Sequence, residues 1–155
     1  MASNGEMELL DITKLSLYQL TQLKQQFDRE LNVFSDSLQT LKMAQGKFMD
    51  SNESLEKISR KVEGTTIMVP LTGSMYVPGR ISDGNSVLID IGTGYFVRKD
   101  VSGARDYFSR RVAYVTQQME KISALALEKN KQREAVVDIM EAQIQAQLAG
   151  QTRQC

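Results

Sequence analysis

Apolar residues in the first third of the chain recur at alternating steps of three and four: Leu20, Phe27, Leu31, Phe34, Leu38, Leu41, Phe48, Leu55 and Val62. Lys24, Gln45, Asn52 and Ser59 occupy positions that the same count assigns to apolar side chains. A heptad register kept over about six repeats predicts one long helix with a continuous apolar stripe. Ser16 and Gln19 have the spacing of a capping box, flanked by Leu15 and Leu20 as a hydrophobic staple, so the helix is expected to open at position 16. Running to position 63, it would be roughly 70 Å long at 1.5 Å per residue. A rod of that length cannot bury its stripe within itself. It needs a partner helix.

The last third of the chain supplies a second stripe: Ala104, Phe108, Val112, Val115, Met119, Ile122 and Ala126. It is interrupted by Lys129 and Arg133 and resumes at Val136 and Met140, drifting toward Ile144 and Leu148. With a cap at Asp100 or Ser102, this predicts a second helix over 101–149. Two helices of similar length should fold back as an antiparallel coiled coil. Matching their ends places Phe48 near Gln118, Leu41 near Leu125 and Phe27 near Ile139. The polar seam residues either set the register at a cost in stability or are tolerated defects.

Between the helices the pattern changes. Both prolines (Pro70, Pro78) and seven glycines (Gly64, Gly73, Gly79, Gly84, Gly92, Gly94, Gly103) fall between positions 64 and 103. Pro and Gly are the strongest interrupters of helix, so this stretch is not helical. Alternation at Ile67, Val69 and Leu71, at Met75 and Val77, at Val87, Ile89 and Ile91, and at Tyr95 and Val97 predicts four strands. Thr72-Gly73, Asp83-Gly84-Asn85 and Gly92-Thr93-Gly94 are the turns. Two hairpins cannot stand alone in water, and their open edges invite another chain. The expected assembly residues are therefore Val69, Leu71, Met75, Val77, Val87, Ile89, Ile91, Tyr95 and Val97.

The fold class that follows is α+β and mainly α: a long antiparallel two-helix coiled coil joined by two β-hairpins that complete a sheet shared between subunits. Its segments are an N-terminal tail (1–15), a first helix (16–63), a double hairpin (64–100), a second helix (101–149) and a C-terminal tail (150–155). The N-terminal tail is expected to be disordered or extended, and residues 1–10 and the Gln-rich end, Gln143–Cys155, to be disordered without contacts.

Composition narrows the function. Nineteen basic and nineteen acidic residues balance, which gives no bulk attraction to nucleic acid or acidic lipid. The chain has no His and no Trp, and its one cysteine is Cys155. Absence of His removes the commonest general base, and a single Cys excludes a cysteine-based zinc site. No metal, cofactor or catalytic residue is expected. Gly92-Thr93-Gly94 lacks the third glycine of a dinucleotide fingerprint and is followed by a strand pattern, so it reads as a turn. Asp90 reads as a structural carboxylate, Asp106, Arg110 and Arg111 as either subunit contacts or a solvated helix face, and Tyr76 and Tyr95 as packing residues of the shared hub. No apolar run reaches the roughly 20 residues of a membrane span. With no secretory signal pattern and no cysteine pair, the expected location is cytoplasmic, with the nucleus open as a second site.

The runs VPLTGSMYVPGRI (Val69–Ile81) and VLIDIGTGYFVRK (Val87–Lys99) resemble the double hairpin of α-type prefoldin subunits, and DYFSRRVAYVTQQMEKI (Asp106–Ile122) resembles the start of their second helix. The resemblance spans about positions 11–145 and is specific in the middle, where the coils are generic. It implies a complex of two α-type and four β-type subunits whose hairpins form joined β-barrels. It further implies capture of unfolded actin and tubulin at the coil tips and delivery to the cytosolic group II chaperonin, without nucleotide. At the tip, Val136 and Val137, and Ile139 and Met140, are adjacent and exceed a strict seam. On the residues alone this reads as a slightly broad seam that closes normally; together with the resemblance it marks Leu17, Leu20, Val136, Ile139, Met140, Ile144 and Leu148 as client-binding candidates. The other reading is a structural coiled-coil adaptor seated in a different assembly.

Overall fold

A computed structural model of the chain describes residues 11–58 and 62–153. A single 3-10 turn (Ile12–Lys14) precedes helix α1 (Leu17–Glu56). Strands β1 (Thr66–Pro70) and β2 (Tyr76–Arg80) follow, then β3 (Ser86–Gly92) and β4 (Tyr95–Asp100), and helix α2 (Val101–Thr152) closes the order. Two long helices with two antiparallel strand pairs between them is the class that the hydrophobic pattern predicts.

Both helix starts carry the caps that the residue types dictate. The Ser16 backbone N–H donates to Gln19 Oε1 at 3.0 Å, and the Gln19 N–H donates to Ser16 Oγ at 3.3 Å, a reciprocal capping box. Asp100 Oδ1 accepts the Gly103 N–H at 3.2 Å and caps α2. The end of the first helix departs from expectation. It stops at Glu56 rather than continuing to position 63, and its last turn tightens through Lys57 N–H to Ser54 O and Ile58 N–H to Leu55 O. Val62 keeps the heptad count but lies outside the helix, because a period cannot sense where packing on a hairpin takes over. Ser59 falls outside the described residues. At the far end α2 runs to Thr152, past the expected stop at 149, so the Gln-rich stretch Gln143–Thr152, expected to be disordered without contacts, is helical and Gln143 bonds the Leu15 carbonyl.

The chain divides into two compact units, residues 41–118 and residues up to 40 with those from 119. In the first, which carries the hairpins, the core is Leu55, Ile89 and Ala104, with Ile58, Val87, Val101, Tyr107 and Phe108 packed against it. Phe48 and Phe108 meet with ring centroids 6.2 Å apart, and the Arg111 guanidinium lies 5.4 Å from the Phe48 ring centre. The two polar seam positions differ: Gln45 Nε2 donates to Thr116 Oγ1 at 2.7 Å, whereas Asn52 Nδ2 reaches Ser109 Oγ only at 3.4 Å and its buried Oδ1 has no partner among the described residues.

In the second unit, the coil end, Leu20 and Val136 are fully buried. Gln143 Nε2 donates to the Leu15 carbonyl at 2.9 Å, closing the chain ahead of α1 onto α2. Asp28 bonds Lys24 on its own helix and Arg133 on the other, and Glu30 meets Lys129 at 2.9 Å. Lys129 also sits 5.2 Å above the Phe27 ring. These contacts correct the expected register. Phe27 faces Lys129 rather than Ile139, and Phe48 faces Phe108 and Arg111 rather than Gln118. The offset has one cause: the first helix ends some residues early, so each of its positions meets an earlier turn of α2.

Candidate functional sites on the hairpins and at the coil end

β1 and β2 pair as Ile67 with Gly79, Met68 with Pro78, Val69 with Val77 and Pro70 with Tyr76. Residues directly opposite share a face, so Ile67, Val69 and Val77 line one side and Met68, Pro70, Pro78 and Tyr76 the other. Both sides are apolar. Within the chain neither is covered: Ile67, Met68, Leu71, Met75, Tyr76 and Val77 are all exposed, and Val69 is half-buried.

β3 and β4 pair as Val87 with Lys99, Leu88 with Arg98, Ile89 with Val97 and Asp90 with Phe96. The Val87 and Ile89 face turns onto the coil, and Ile89 is only 3% exposed. These two residues, expected to join subunits, thus anchor the hairpin to its own helices. Ile91, Tyr95 and Val97 remain exposed. The opposite face, with Leu88 64% and Phe96 61% exposed, escaped the sequence reading. Alternation selects one apolar face, and Met68, Leu88 and Phe96 stand at the intervening positions of the same strands. Each pair forms a separate two-stranded sheet, so every strand has one edge without a sheet partner among the described residues.

The hairpin turns explain the glycine pattern without a ligand. Gly92, Thr93 and Gly94 all have positive φ (103°, 52° and 80°), and β4 follows directly. Asp90 Oδ1 accepts the Gly92 N–H at 2.9 Å across a bulge, a structural role. Asp83 accepts from the Asn85 N–H and the Ser86 hydroxyl, which hold its carboxyl below the usual range, the Ser86 bond contributing most. Asp106 pairs with Arg110 on an exposed helix face. Tyr76 and Tyr95, expected to pack, are exposed in this chain.

At the coil end the client-binding candidates separate by burial. Leu20 and Val136 are sealed in the seam and serve packing in this conformation; Leu17, Ile139 and Met140 are half-buried; Ile144 and Leu148 are exposed. Tyr18, at 71% exposure, joins the accessible set. Beside them lies an open cleft of about 790 Å³, walled by α1 between Gln19 and Arg29, by Lys129, Gln132 and Ala135 of α2, and by Ile12 and Leu15. No periodicity announces this cleft, because the chain before α1 must come alongside the coil to form it. The Lys24 ammonium and then Arg133 hold the Asp28 carboxyl below its ordinary range. Gln26 and then Lys129 do the same for Glu30.

Among the described residues no group of His, Cys, Asp and Glu is arranged to hold a metal ion, and no helix is long and apolar enough to cross a membrane. Cys155 and residues 1–10 lie outside the described residues.

Comparison with known proteins gives the family of this chain. Residues 27–146 match the prefoldin family model, described as prefoldin subunit. The chain is 48% identical over 134 residues to the probable prefoldin subunit 5 of Drosophila melanogaster, covering 86% of this chain and 80% of that one. It is 43% identical over 136 residues to prefoldin subunit 5 of Homo sapiens, covering 88% of each. Among solved structures, filamentous PFD from Methanocaldococcus jannaschii is 14% identical and covers 79% of this chain and 95% of its own, with a TM-score of 0.46. A capped two-helix chain carrying a double hairpin, matched over most of its length by these sequences, belongs to the prefoldin family of chaperone subunits.

Proposed function

We propose that this chain is the α-type subunit of a six-chain prefoldin complex, joined to one further α-type and four β-type subunits through its hairpins. The observation that carries the reading is the first hairpin, apolar on both faces and uncovered on both. At about 25 cal/mol per Å² of apolar surface removed from water, such a surface is strongly driven to find partners. Unpaired strand edges add backbone hydrogen bonds to that drive and give it direction.

The complex captures unfolded polypeptides, actin and tubulin among them, at the coil ends and hands them to the cytosolic group II chaperonin without nucleotide and without catalysis. The family resemblance supplies the clients and the chaperonin. Accessible apolar residues (Tyr18, Ile144, Leu148) and the partly covered Leu17, Ile139 and Met140 support a weak contact at this end. Several coils acting on one client would convert weak contacts into a firm hold. The chain works in the cytoplasm, with the nucleus as a second location.

The test is the mass of intact complexes recovered under native conditions with this chain as bait. A six-chain assembly containing one copy is the expected result. A different assembly would transfer the reading to a structural adaptor. A second measurement addresses the coil end: Ser at Ile139, Met140, Ile144 and Leu148 should leave assembly intact and weaken suppression of client aggregation. Unchanged suppression would remove these four from the contact.

A further inference from the structure

The cleft at the coil end has a chemistry more specific than a greasy surface. Its apolar lining residues are Ile12, Leu15, Leu23, Phe27 and Ala135. Five glutamines line it, at positions 19, 22, 25, 26 and 132. Three have side-chain atoms already engaged: Gln19 Oε1 accepts from Ser16, Gln22 Nε2 donates to the Tyr18 hydroxyl and Gln26 Nε2 to Glu30. The Gln25 and Gln132 side chains make no hydrogen bond among the described residues, and since an amide both donates and accepts, these two can satisfy the N–H and C=O groups of a passing backbone whatever its side chains are. Unfolded segments carry those groups unpaired.

The charged lining residues are Arg29 and Lys129, and no acidic side chain is among the described residues that line the cleft. The carboxylates on either side of Arg29 in the chain are already engaged. Asp28 is held by Lys24 and Arg133, and Glu30 by Lys129 and Gln26. Arg29 is exposed and has no ion-pair partner among the described residues. Lys129 is shared between Glu30 and the Phe27 ring, which leaves the wall net positive. The volume, about 790 Å³, falls in the range of roughly 300–1,000 Å³ that suits a few residues of peptide and not a folded surface.

We propose that this cleft binds extended peptide segments in which apolar side chains alternate with carboxylates, the apolar groups on Leu23 and Phe27 and a carboxylate on Arg29. The proposal rests on the client-holding function proposed above and adds to it a charge preference and a location on this subunit. An open cleft that recognises backbone through amides and charge through one guanidinium is selective without being sequence-specific.

The test uses the assembled complex with a benzophenone amino acid at Gln25, an exposed lining position. Two fluorescent peptides share the same apolar residues, alternated with Glu in one and Lys in the other. The Glu peptide should crosslink to position 25 several-fold more than the Lys peptide, with the gap narrowing as salt is raised. R29E should reverse the preference and R29Q erase it, two variants of an exposed side chain that leave the seam untouched. Equal crosslinking of the two peptides, or indifference to both substitutions, overturns the proposal. So does crosslinking of position 25 to this chain's own residues ahead of Asp11 or to a neighbouring subunit in place of peptide. Anisotropy of the same samples separates the two levels. Peptide retained without reaching position 25 removes this cleft and spares the holding function; no peptide retained at all removes the holding function.

Discussion

At the residue scale, two positions hold conformations that the chain tolerates for the sake of a turn or a cap. Thr93 is a β-branched residue with φ 52°, in the left-handed region that costs an ordinary residue roughly 1–2 kcal/mol. Asn tolerates that region better, so T93N should slow amide exchange in β3 and β4 within the assembled complex. Unchanged or faster exchange would show that the hydroxyl makes up for the strain. Asp100 caps α2 through the Gly103 N–H, and a Cβ at Gly103 would come within 2.6 Å of Asp100 Oδ1. D100A should cost about 1 kcal/mol, read as faster exchange at Gly103 and its neighbours. An identical exchange rate would mean that water replaces the cap without loss. The Ser16–Gln19 capping box was legible because its residue types define the geometry locally. The exposure of Leu88 and Phe96 was not, since burial is decided by what lies opposite.

At the element scale, the paired helices match polar residues at the coil end, and this matching makes that end sensitive to acid. Asp28 and Glu30 both have carboxyl groups held below their ordinary range by bonds to Lys24 and Arg133 and to Gln26 and Lys129. A depressed folded-state value contributes stability that is present above the unfolded value, near 4, and is lost as pH falls through the folded one. Amide exchange around Asp28 and Glu30 should therefore accelerate below about pH 4, and D28N with E30Q should flatten that dependence. The Asp28 and Glu30 side chains are 36% and 35% exposed, so solvent screens these pairs and the effect is small and weakens further in salt. An acid limb unchanged in the double variant would place the sensitivity elsewhere. Helices and strands themselves were legible from period alone, and the register was not. Heptads repeat, so a shifted alignment satisfies the apolar pattern equally well until the end of α1 is known.

At the scale of the whole molecule, the chain exposes more apolar surface on its hairpins than a monomer usually carries. Met68, Leu88 and Phe96 are each more than half exposed, on strands with unpaired edges. The formal net charge of zero offers no repulsion to keep copies apart. Purified alone, the chain should self-associate at micromolar concentration, and sedimentation should show a broad distribution. A sharp monomer with cooperative melting would count against a hairpin surface made for partners. L88S with F96S should lower incorporation into the complex while leaving the helical circular dichroism signal intact. These side chains face away from the Leu55–Ile89–Ala104 core, so the loss would report assembly and not folding.

The sequence by itself determined whatever depends on local chemistry and period: two long amphipathic helices, four strands between them, the caps, the turns, and the absence of a histidine-based site. Tertiary structure alone decided which apolar residues are consumed internally and which are left for other molecules. Ile89 and Leu88 are neighbours of like hydrophobicity on one strand, and only the coil packed against one face makes the first an anchor and the second a surface. Leu20 and Leu148 both fit the coil pattern, and only the pairing of helices buries one and leaves the other accessible. The cleft needs residues far apart in the chain to meet, from Ile12 to Ala135, so no local pattern encodes it. Hydrophobicity is a property of a residue, whereas exposure is a property of its surroundings.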